Sequence, residues 1–361
     1  MSTAPSGTSP SSRPHLVARA EDRVNGIVTR VLRRRGWVGR VEPSTGYGTT
    51  SWVRVLGRAL LAPPGTSAGQ ATERDPASAR RAVRGWRSFL TAQVPHASVE
   101  VRVGDVTTTV RADRGGYIDT VLEVELEPGW HQATFTLDGQ RATSAVRVIG
   151  PEQTVAMLSD VDDTVMVTAL PRPLLAAWNA MVLHEDARRP VPGMAQLYAR
   201  WQRANPDAPT FYLSTGAWNV APALRRFLER HRYPAGPFLL TDWGPTNTGW
   251  FRSGPEHKIE SLRRLMDELP HVRWVLVGDD GQHDPQLYAQ IAEEFPGRVE
   301  LVLIRQLSVA QQVLAHGAPL PAEKERRATE KPEGPRTVLG PDGNALALRL
   351  IDAGLLPPRK R

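Results

Sequence analysis

Short runs of alternating apolar and polar positions fill residues 51–150, and such alternation is typical of β-strands with one buried face. It predicts strands at Trp52–Leu61, Ser98–Val103, Val106–Ala112, Tyr117–Leu126, Gln132–Leu137 and Ala142–Val148. Turn signals separate several of them, namely Gly104-Asp105, Pro128-Gly129 and Asp138-Gly139. Short strands in such number predict a small all-β, sandwich-like domain at residues 51–150.

Before this region, apolar positions recur with helical spacing and arginines stand among them. The apolar set lies within a helix predicted at His15–Arg35 and consists of Ala20, Val24, Ile27, Val28, Val31 and Leu32. We expect a basic amphipathic helix and a connector at residues 15–50, after a disordered start at residues 1–14. Two arrangements fit this helix: it lies on an anionic membrane, or it docks on its own protein.

Beyond Pro151 the pattern changes to apolar strands that alternate with helices. Strands are expected at Thr154–Ser159, Thr210–Ser214, Phe238–Thr241, Arg273–Gly278 and Val299–Ile304. The helices between them are expected near Met194–Arg203, Pro222–His231, Glu256–Leu269 and Pro285–Glu294. This rhythm predicts an α/β domain at residues 151–318 with a parallel, doubly wound sheet. In such sheets, ligands bind beyond the carboxyl ends of the strands.

The last part of the chain, residues 319–361, is rich in proline, glutamate and arginine. This composition predicts a linker at Pro319–Gly340. A short C-terminal helix is expected at Asn344–Leu356.

The composition limits which catalytic groups and metal ligands the chain can offer. Of the 361 residues, 40% are hydrophobic and 23% are charged, as expected for folded domains. The chain contains no cysteine, which excludes disulfides, cysteine nucleophiles and thiolate metal sites. Any metal must therefore be held by oxygen or histidine, and hard cations are favoured. Because no run of about 18 apolar residues occurs and Met1–Arg13 lacks an apolar secretion core, we expect a cytoplasmic protein.

The net charge of +7 is unevenly distributed. Residues 1–150 carry 20 basic and 13 acidic side chains, residues 151–320 carry 16 and 19, and residues 321–361 carry 9 and 6. The basic flanks either form a solvated, arginine-rich surface or bind an anionic partner, for which peripheral contact with an anionic membrane is the candidate. Nucleic acid is disfavoured as a partner, because the flanks lack an interleaved aromatic motif.

Acidic clusters follow two of the predicted strands. Asp160, Asp162 and Asp163 follow the first strand of the α/β domain, and alternation places Asp160 and Asp162 on the same side. Carboxylates so close together repel one another, and a bound divalent cation relieves that repulsion. A second cluster, after the strand that ends at residue 278, consists of Asp279, Asp280 and Asp284. All these ligands are oxygens, so Mg²⁺ is the expected cation.

Groups suited to a phosphate lie at two further positions. Ser214 and Thr215 end a predicted strand, where hydroxyl and backbone N–H groups can hold phosphate oxygens. Lys258 lies near the start of a predicted helix, where both its charge and the helix N-terminus favour an anion. Among 45 basic residues it is the one lysine before residue 324. In so arginine-rich a chain, this indicates a requirement for a compact ammonium group.

The order of these motifs resembles that of the haloacid dehalogenase-like phosphohydrolases. The motifs are Asp-x-Asp-x-Thr at Asp160–Thr164, the strand-end Ser214-Thr215, Lys258, and Gly-Asp-x-x-x-x-Asp at Gly278–Asp284. More closely, Leu158–Val165, Tyr212–Trp218 and Val277–Pro285 resemble the actin-patch-type phosphatidate phosphatase catalytic domain. The resemblance covers Gln153 to Leu307. It implies a haloacid dehalogenase-like Rossmannoid parallel sheet with a small cap insertion at about residues 165–190.

The resemblance also implies a role for each motif residue. Asp160 would be the nucleophile that forms an aspartyl-phosphate, and Asp162 would protonate the leaving oxygen and then activate water. Thr164 would order the loop. The groups implied to hold Mg²⁺ are the side chain of Asp160, the backbone carbonyl of Asp162, Asp279 and, in support, Asp284. Those implied to bind the phosphoryl oxygens are Ser214, Thr215 and Lys258, with Ser214 preferred to Thr215 because it ends the strand.

Substrate contacts are expected from two segments near these strand ends. The cap insertion carries an apolar stretch around Trp178, which fits a lipid-facing lid, a buried cap helix or a dimer contact. The loops beyond the strands add candidates that suit either an apolar–polar interface or loop packing: Trp218, Trp243, Trp250 and Arg252.

Three functions remain open at the level of the sequence. The resemblance implies a Mg²⁺-dependent phosphatase that hydrolyses phosphatidate to diacylglycerol and phosphate. A phosphatase for a soluble phosphate ester would use the same motifs, because the cap shape sets the substrate. A non-catalytic phospholipid-binding protein is the third, and the complete set of motif residues disfavours it. The sequence predicts no oligomeric state.

Overall fold

The computed structural model describes residues 26–63, 92–167, 189–241, 254–281, 283–308 and 334–358. Helix α1 occupies residues 26–34 and ends in a turn before the first strand. It lies within the predicted helix His15–Arg35, whose earlier part falls outside the described residues, as does the predicted disordered start at residues 1–14. Among the described residues, no helix combines the length and the apolar character needed to span a membrane.

The first eight strands form one sheet, which we call the N-terminal sheet. The strands are β1 Val38–Thr49, β2 Trp52–Ala62, β3 Ala92–Gln93, β4 Ser98–Val103, β5 Val106–Arg111, β6 Tyr117–Glu123, β7 Gly129–Leu137 and β8 Gln140–Ile149. Their order is β3-β2-β1-β8-β7-β4-β5, and β6 pairs with β2. Strands β1 and β8 pair in parallel, whereas β1 and β2 are antiparallel. The predicted strands of this region are therefore present, and the sandwich-like arrangement stays a prediction.

Strand β1 corrects the expectation of a connector up to residue 50. Its segment carries Pro43, Gly46 and Gly48, which are typical of loops. The glycines permit close approach of the chain: a Cβ on Gly48 would lie 2.1 Å from the carbonyl oxygen of Trp52. Because β1 pairs with β2 on one edge and β8 on the other, tertiary pairing overrides its weak strand propensity.

The remaining long strands form a second, six-stranded sheet. They are β9 Val155–Asp160, β12 Thr210–Ala217, β13 Phe238–Thr241, β14 Arg273–Asp279, β15 Val299–Arg305 and β16 Arg336–Gly340. The order is β13-β12-β9-β14-β15-β16, and every pair is parallel. This confirms the predicted α/β class with a parallel sheet. Strand β16 lies inside the predicted linker Pro319–Gly340 and corrects that expectation. It is a short edge strand with polar flanks, and its pairing with β15 makes it a strand.

Helices cover both faces of this parallel sheet. They are α2 Met194–Ala204, α3 Ala221–Arg230, α4 Gly254–Glu268, α5 Asp284–Glu294 and α6 Gly343–Asp352. One apolar cluster joins α2, α3 and α6 to the sheet, and the other joins α4 and α5. Alternate strand residues divide between the clusters, as Met157 and Leu158 of β9 do. Two short strands, β10 Met166–Val167 and β11 Arg189–Pro190, pair antiparallel on either side of residues 168–188.

The N-terminal sheet packs against the α4 side of the parallel sheet. Tyr47 lies in the same apolar cluster as α4, with its ring centroid 5.3 Å from that of Phe211. The Tyr47 hydroxyl donates a hydrogen bond of 2.7 Å to Glu268 at the end of α4. Arg54 of β2 forms an ion pair with the same carboxylate. Apolar burial and hydrogen-bonded charge therefore join the two sheets.

Candidate active site

The carboxyl ends of three neighbouring strands bring the predicted motifs together. In the parallel ladder, Leu213 of β12 pairs with Asp160 of β9, and Val277 of β14 pairs with Ser159. Ser214 therefore follows one partner of Asp160, while Asp279 ends the strand on the other side. The motif residues share one edge of the sheet, as the parallel arrangement predicts.

Three buried carboxylates meet at this edge. Oxygen atoms of Asp160, Asp279 and Asp284 all lie within 4.8 Å of one another. Asp284 is the first residue of α5, and its Oδ2 accepts a hydrogen bond of 3.3 Å from the backbone N–H of Asp279. The chain allows this approach because residue 278 is glycine: a Cβ there would lie 2.5 Å from Oδ2 of Asp284. We call Asp160, Asp279 and Asp284 the acidic triad.

Lys258, in the first turns of α4, contacts the triad directly. Its Nζ lies 2.6 Å from Oδ1 of Asp160 and 2.6 Å from Oδ1 of Asp284, and its side chain is only 2% exposed. One ammonium against three carboxylates leaves a formal excess of two negative charges in a buried site. Such an excess is costly in a low-dielectric environment and favours binding of a divalent cation.

The pKa values of these groups reflect the crowding. Burial raises the pKa of Asp160 well above its ordinary value; Lys258 opposes this rise and the neighbouring carboxylates add to it. Burial also raises the pKa of Asp279, and the charges of Asp284 and Asp160 raise it further. Burial lowers the pKa of Lys258, but the surrounding carboxylates outweigh burial and raise it above its usual range. The lysine is therefore a permanent cation, and the carboxylates need a further positive charge.

The donor set fits a hard divalent cation. Oδ2 of Asp160 is buried and accepts no hydrogen bond from the described residues. Buried polar atoms normally have a partner, and a metal ion would supply one here. Asp279 and Asp284 supply further carboxylate oxygens within reach of the same point. All-oxygen ligation of this kind suits Mg²⁺ or a similar ion. The acidic triad could thus hold a metal ion.

Asp162 lies beside the triad and is held by the next strand. Its Oδ2 accepts a hydrogen bond of 2.9 Å from Oγ of Ser214. Oγ of Ser214 in turn accepts a hydrogen bond of 3.0 Å from the backbone N–H of Gly216. After Asp162 the chain turns sharply, with a positive φ of 56° at Asp163. Thr164 follows with its hydroxyl 3.5 Å from Oδ2 of Asp279, so this loop folds back over the triad.

Two further candidates from the sequence, Asp280 and Thr215, lie outside the acidic triad. Asp280 points towards the end of β15, where its Oδ1 accepts a hydrogen bond of 2.7 Å from the backbone N–H of Leu307. Asp284 rather than Asp280 therefore joins Asp279 in the triad. Thr215 of β12 lies next to the start of α4, since a Cβ on Gly254 would come within 2.9 Å of its methyl group.

The predicted substrate contacts are placed less directly. Trp218 packs between the two apolar clusters, with its ring centroid 6.4 Å from that of Tyr117 in the N-terminal sheet. Its described contacts are thus with the core and with the N-terminal sheet. The other four candidates lie outside the described residues: Trp178, Trp243, Trp250 and Arg252.

One residue of this region was not predicted. Arg305 ends strand β15 and is 4% exposed. Its guanidinium donates hydrogen bonds to the carbonyl oxygens of Asp163 and Pro341. It therefore ties the loop after Asp160 to the segment after β16. An arginine at the end of an apolar strand is the sequence signal that could have identified it.

The comparison with known proteins agrees with the motifs. Residues 155–306 match the family described as Phosphatidate phosphatase APP1, catalytic domain. Phosphatidate phosphatase APP1 of Saccharomyces cerevisiae is 24% identical over 152 residues, which are 42% of this chain and 26% of that protein. An uncharacterised protein of Schizosaccharomyces pombe is 25% identical over 154 residues, 42% of this chain and 25% of that protein.

Similarity to solved structures is weaker. A carbohydrate acetylesterase from Xanthomonas citri has a TM-score of 0.32 at 13% identity, over 85% of this chain and 73% of its own, a level that says nothing about function. The chain matches about a quarter of the length of the two curated yeast proteins. Within that matched region, all of the motifs described above are present. Residues 155–306 are therefore similar to the catalytic domain of the APP1-type phosphatidate phosphatases, and this similarity indicates a phosphatase hydrolase.

Proposed function

We propose that the protein is a Mg²⁺-dependent phosphatase that hydrolyses phosphatidate to diacylglycerol and phosphate. The observation that carries this proposal is the position of Asp160, which ends a central strand and lies between Lys258 and the other triad carboxylates. A buried carboxylate next to a lysine and a cation site suits nucleophilic attack on a phosphoryl group. The family match supports phosphatidate as the substrate.

In the first step, a carboxylate oxygen of Asp160 forms a bond to phosphorus while the bond from phosphorus to the glycerol oxygen breaks. The ion pair with Lys258 orients Asp160 and favours its ionised form, against the burial that raises its pKa. The ammonium also faces the place where negative charge on the phosphoryl oxygens must be neutralised. The product of this step is an aspartyl-phosphate at Asp160 and an alcohol.

Asp162 acts as the general acid and then as the general base. Its carboxyl group lies on the loop directly after β9 and is fixed by the hydrogen bond from Ser214. When protonated, it gives its proton to the leaving glycerol oxygen; it then accepts a proton from the water that attacks the aspartyl-phosphate. Ser214 thus both positions Asp162 and borders the phosphoryl site.

Mg²⁺ would be held by Asp160, Asp279 and Asp284, with the backbone carbonyl of Asp162 as a further ligand. When bound, the ion neutralises the charge excess of the triad and of the phosphoryl oxygens.

We also propose that the fold of this domain is haloacid dehalogenase-like, with a Rossmannoid sheet and a cap at about residues 165–190. The pairing of β10 with β11 at the two ends of that insertion supports the cap. We place the protein in the cytoplasm, in peripheral contact with a membrane.

The test is phosphate release from phosphatidate in mixed micelles, run beside a panel of soluble phosphate esters. Each substrate is assayed with Mg²⁺ and with a chelator, for the wild type, Asp160→Asn and the surface control Asp267→Asn. We expect Mg²⁺-dependent release from phosphatidate that Asp160→Asn abolishes and Asp267→Asn retains. Release from soluble esters alone would keep the chemistry and reject the lipid substrate. No release from any substrate, with folded protein, would reject the phosphatase.

A further inference from the structure

Helix α1 has an apolar face that no other part of the described chain covers. Ile27, Val28 and Val31 are 57%, 41% and 41% exposed, which is high for aliphatic side chains. Beside this face, Leu32 packs against the core of the N-terminal sheet, and further round the helix the Thr29 hydroxyl lies 3.5 Å from the carbonyl oxygen of Gln93. The helix is therefore attached to the protein along one side. We call Ile27, Val28 and Val31 the outer face of α1.

Arginines flank this outer face. Arg30, Arg34 and Arg35 are exposed, and on a helical projection they fall beside Ile27, Val28 and Val31. Arg33 points elsewhere, towards an ion pair of 2.8 Å with Asp138 of the N-terminal sheet. Residues 26–35 contain no acidic side chain. The outer face thus combines exposed apolar groups with exposed arginines, and α1 itself carries no acidic side chain.

Contacts between the sheets show which end of the N-terminal sheet adjoins the active site. Arg54 of β2 meets Glu268 at the last turn of α4, and Asp119 of β6 meets Arg264 one turn earlier. Tyr117, two residues before Asp119, meets Trp218 directly after β12. From Arg54 to Tyr117, these contacts follow α4 from its C-terminal end towards its N-terminal end, where Lys258 lies.

Helix α1 lies at the active-site end of that series. In the sheet, Arg58 pairs with Tyr117, and Ala62 pairs with Val38, the first residue of β1, which follows α1 and its turn. Ala62 lies four residues further along the strand than Arg58, a distance of about 13 Å. The guanidinium of Arg58 stacks on Tyr117, 4.6 Å from the ring centroid. Helix α1 is therefore at the same end of the molecule as the carboxyl ends of the parallel strands, and further out than Trp218.

We propose that the outer face of α1 docks on an anionic lipid bilayer and so holds the active-site end of the molecule at the membrane surface. Ile27, Val28 and Val31 enter the boundary between headgroups and acyl chains, while the arginines bind lipid phosphates and carboxylates. This proposal rests on the proposed function in one respect: docking brings the active site to phosphatidate, whose headgroup lies at that surface. Nucleic acid would engage the arginines but leave the apolar groups in water, and a second copy of α1 would bring like charges together.

The test measures binding of the full chain to vesicles by sedimentation, without phosphatidate, so that substrate recognition does not contribute. The vesicles are pure phosphatidylcholine or phosphatidylcholine with phosphatidylserine. We expect binding to the anionic vesicles and a decrease of binding as salt is raised. The variant Arg30→Gln/Arg34→Gln should bind about 25-fold more weakly, at about fivefold for each basic side chain at an anionic surface.

A second variant tests the apolar contribution. Ile27→Ser/Val31→Ser keeps every charge and should weaken vesicle binding by more than about tenfold, because two aliphatic side chains no longer enter the bilayer. The control is Leu348→Ser on α6, an exposed leucine outside α1. Circular dichroism and hydrolysis of a soluble phosphate ester check that each variant is folded and active.

The outcomes separate this proposal from the proposed function. Vesicle binding that depends on α1 supports the docking surface even if phosphatidate proves not to be a substrate. Vesicle binding unchanged in both α1 variants, or equal for neutral and anionic vesicles, overturns it. Loss of binding in Leu348→Ser alone would place the docking surface elsewhere. Binding of α1 to a DNA duplex but not to vesicles, or α1-dependent dimerisation by light scattering, would assign the outer face to another partner.

Discussion

The ammonium nitrogen of Lys258 lies 2.6 Å from Oδ1 of Asp160, and both side chains are buried. Helix α4 delivers the lysine and strand β9 delivers the aspartate, so the pair joins two elements that are about 100 residues apart in sequence. The same ammonium contacts Asp284 at the start of α5. This lysine therefore holds together the carboxylates that the proposed phosphatase needs.

Replacement of Lys258 by methionine should lower both activity and stability. Three buried carboxylates would lose the cation that contacts two of them, at a cost of about 3–5 kcal/mol in the metal-free protein. The specificity constant kcat/KM should fall by more than about 100-fold, because the charge near the phosphoryl site is lost. Urea unfolding and steady-state kinetics measure the two effects, with Arg263→Met on the exposed side of α4 as control. Wild-type kinetics in Lys258→Met would contradict the assigned role.

Mg²⁺ should stabilise the wild type and not Asp279→Asn. At 100 times its Kd, a ligand that binds only the folded state contributes about 2.7 kcal/mol. The metal-free Asp279→Asn variant should be at least as stable as the metal-free wild type, since burial and the charges of Asp284 and Asp160 raise the pKa of the Asp279 carboxyl. Thermal unfolding with Mg²⁺ and with chelator measures both effects. Asp280→Asn is the control and should keep the Mg²⁺-dependent gain, because Asp280 is outside the triad.

Gly278→Ala should weaken the metal site without changing any ligand. The added methyl group would lie 2.5 Å from Oδ2 of Asp284, so that carboxylate or its helix must move. A displaced ligand of this kind typically costs 10–100-fold, about 1.4–2.7 kcal/mol, in metal affinity. Calorimetric titration with Mg²⁺ measures the loss. Gly26→Ala, where nothing lies within 4 Å of the added atom, should leave the affinity unchanged.

Ser214→Ala should reduce turnover more than it reduces stability. The variant loses the hydrogen bond to Asp162, which contributes about 1 kcal/mol to folding. An unfixed Asp162 is a poorer proton donor, and a loss of about 10–100-fold in kcat is expected. The comparison is with Ser261→Ala, a buried serine of α4 outside the site. Equal kcat values for the two variants would show that Ser214 does not position Asp162.

Tyr47→Phe should weaken the attachment of the N-terminal sheet. The phenylalanine keeps the ring contact with Phe211 and loses the 2.7 Å hydrogen bond to Glu268, a cost of about 1 kcal/mol. Because the two sheets share an apolar cluster, we expect one cooperative urea transition, shifted to lower denaturant in the variant. Two separate transitions in the wild type would show that the sheets unfold independently.

The site was predictable because its residues stand at strand ends. The apolar runs marked the strands, and parallel pairing then required Asp160, Ser214 and Asp279 to share an edge. The sequence did not distinguish Asp284 from Asp280 as the partner of Asp279. That choice depends on a backbone N–H of a distant segment, at Leu307, which takes up the Asp280 carboxylate.

The elements that escaped prediction depend on tertiary contacts. Strand β1 is rich in glycine, and β16 is short and has polar flanks, so neither carries a clear alternation. Both become strands because a neighbouring strand offers its edge. Arg305 was missed for a related reason, since its carbonyl acceptors at Asp163 and Pro341 are brought to it by the fold.

In the proposed reaction, Asp160 forms an aspartyl-phosphate from phosphatidate. Phosphatidate labelled with ³²P in its phosphate is mixed with the protein and Mg²⁺, the reaction is quenched with acid within milliseconds, and the label is located by peptide mapping. We predict label on the peptide that contains Asp160, and neither label nor turnover in Asp160→Asn. Continued Mg²⁺-dependent turnover in Asp160→Asn, or label on another residue, would show that Asp160 is not the nucleophile.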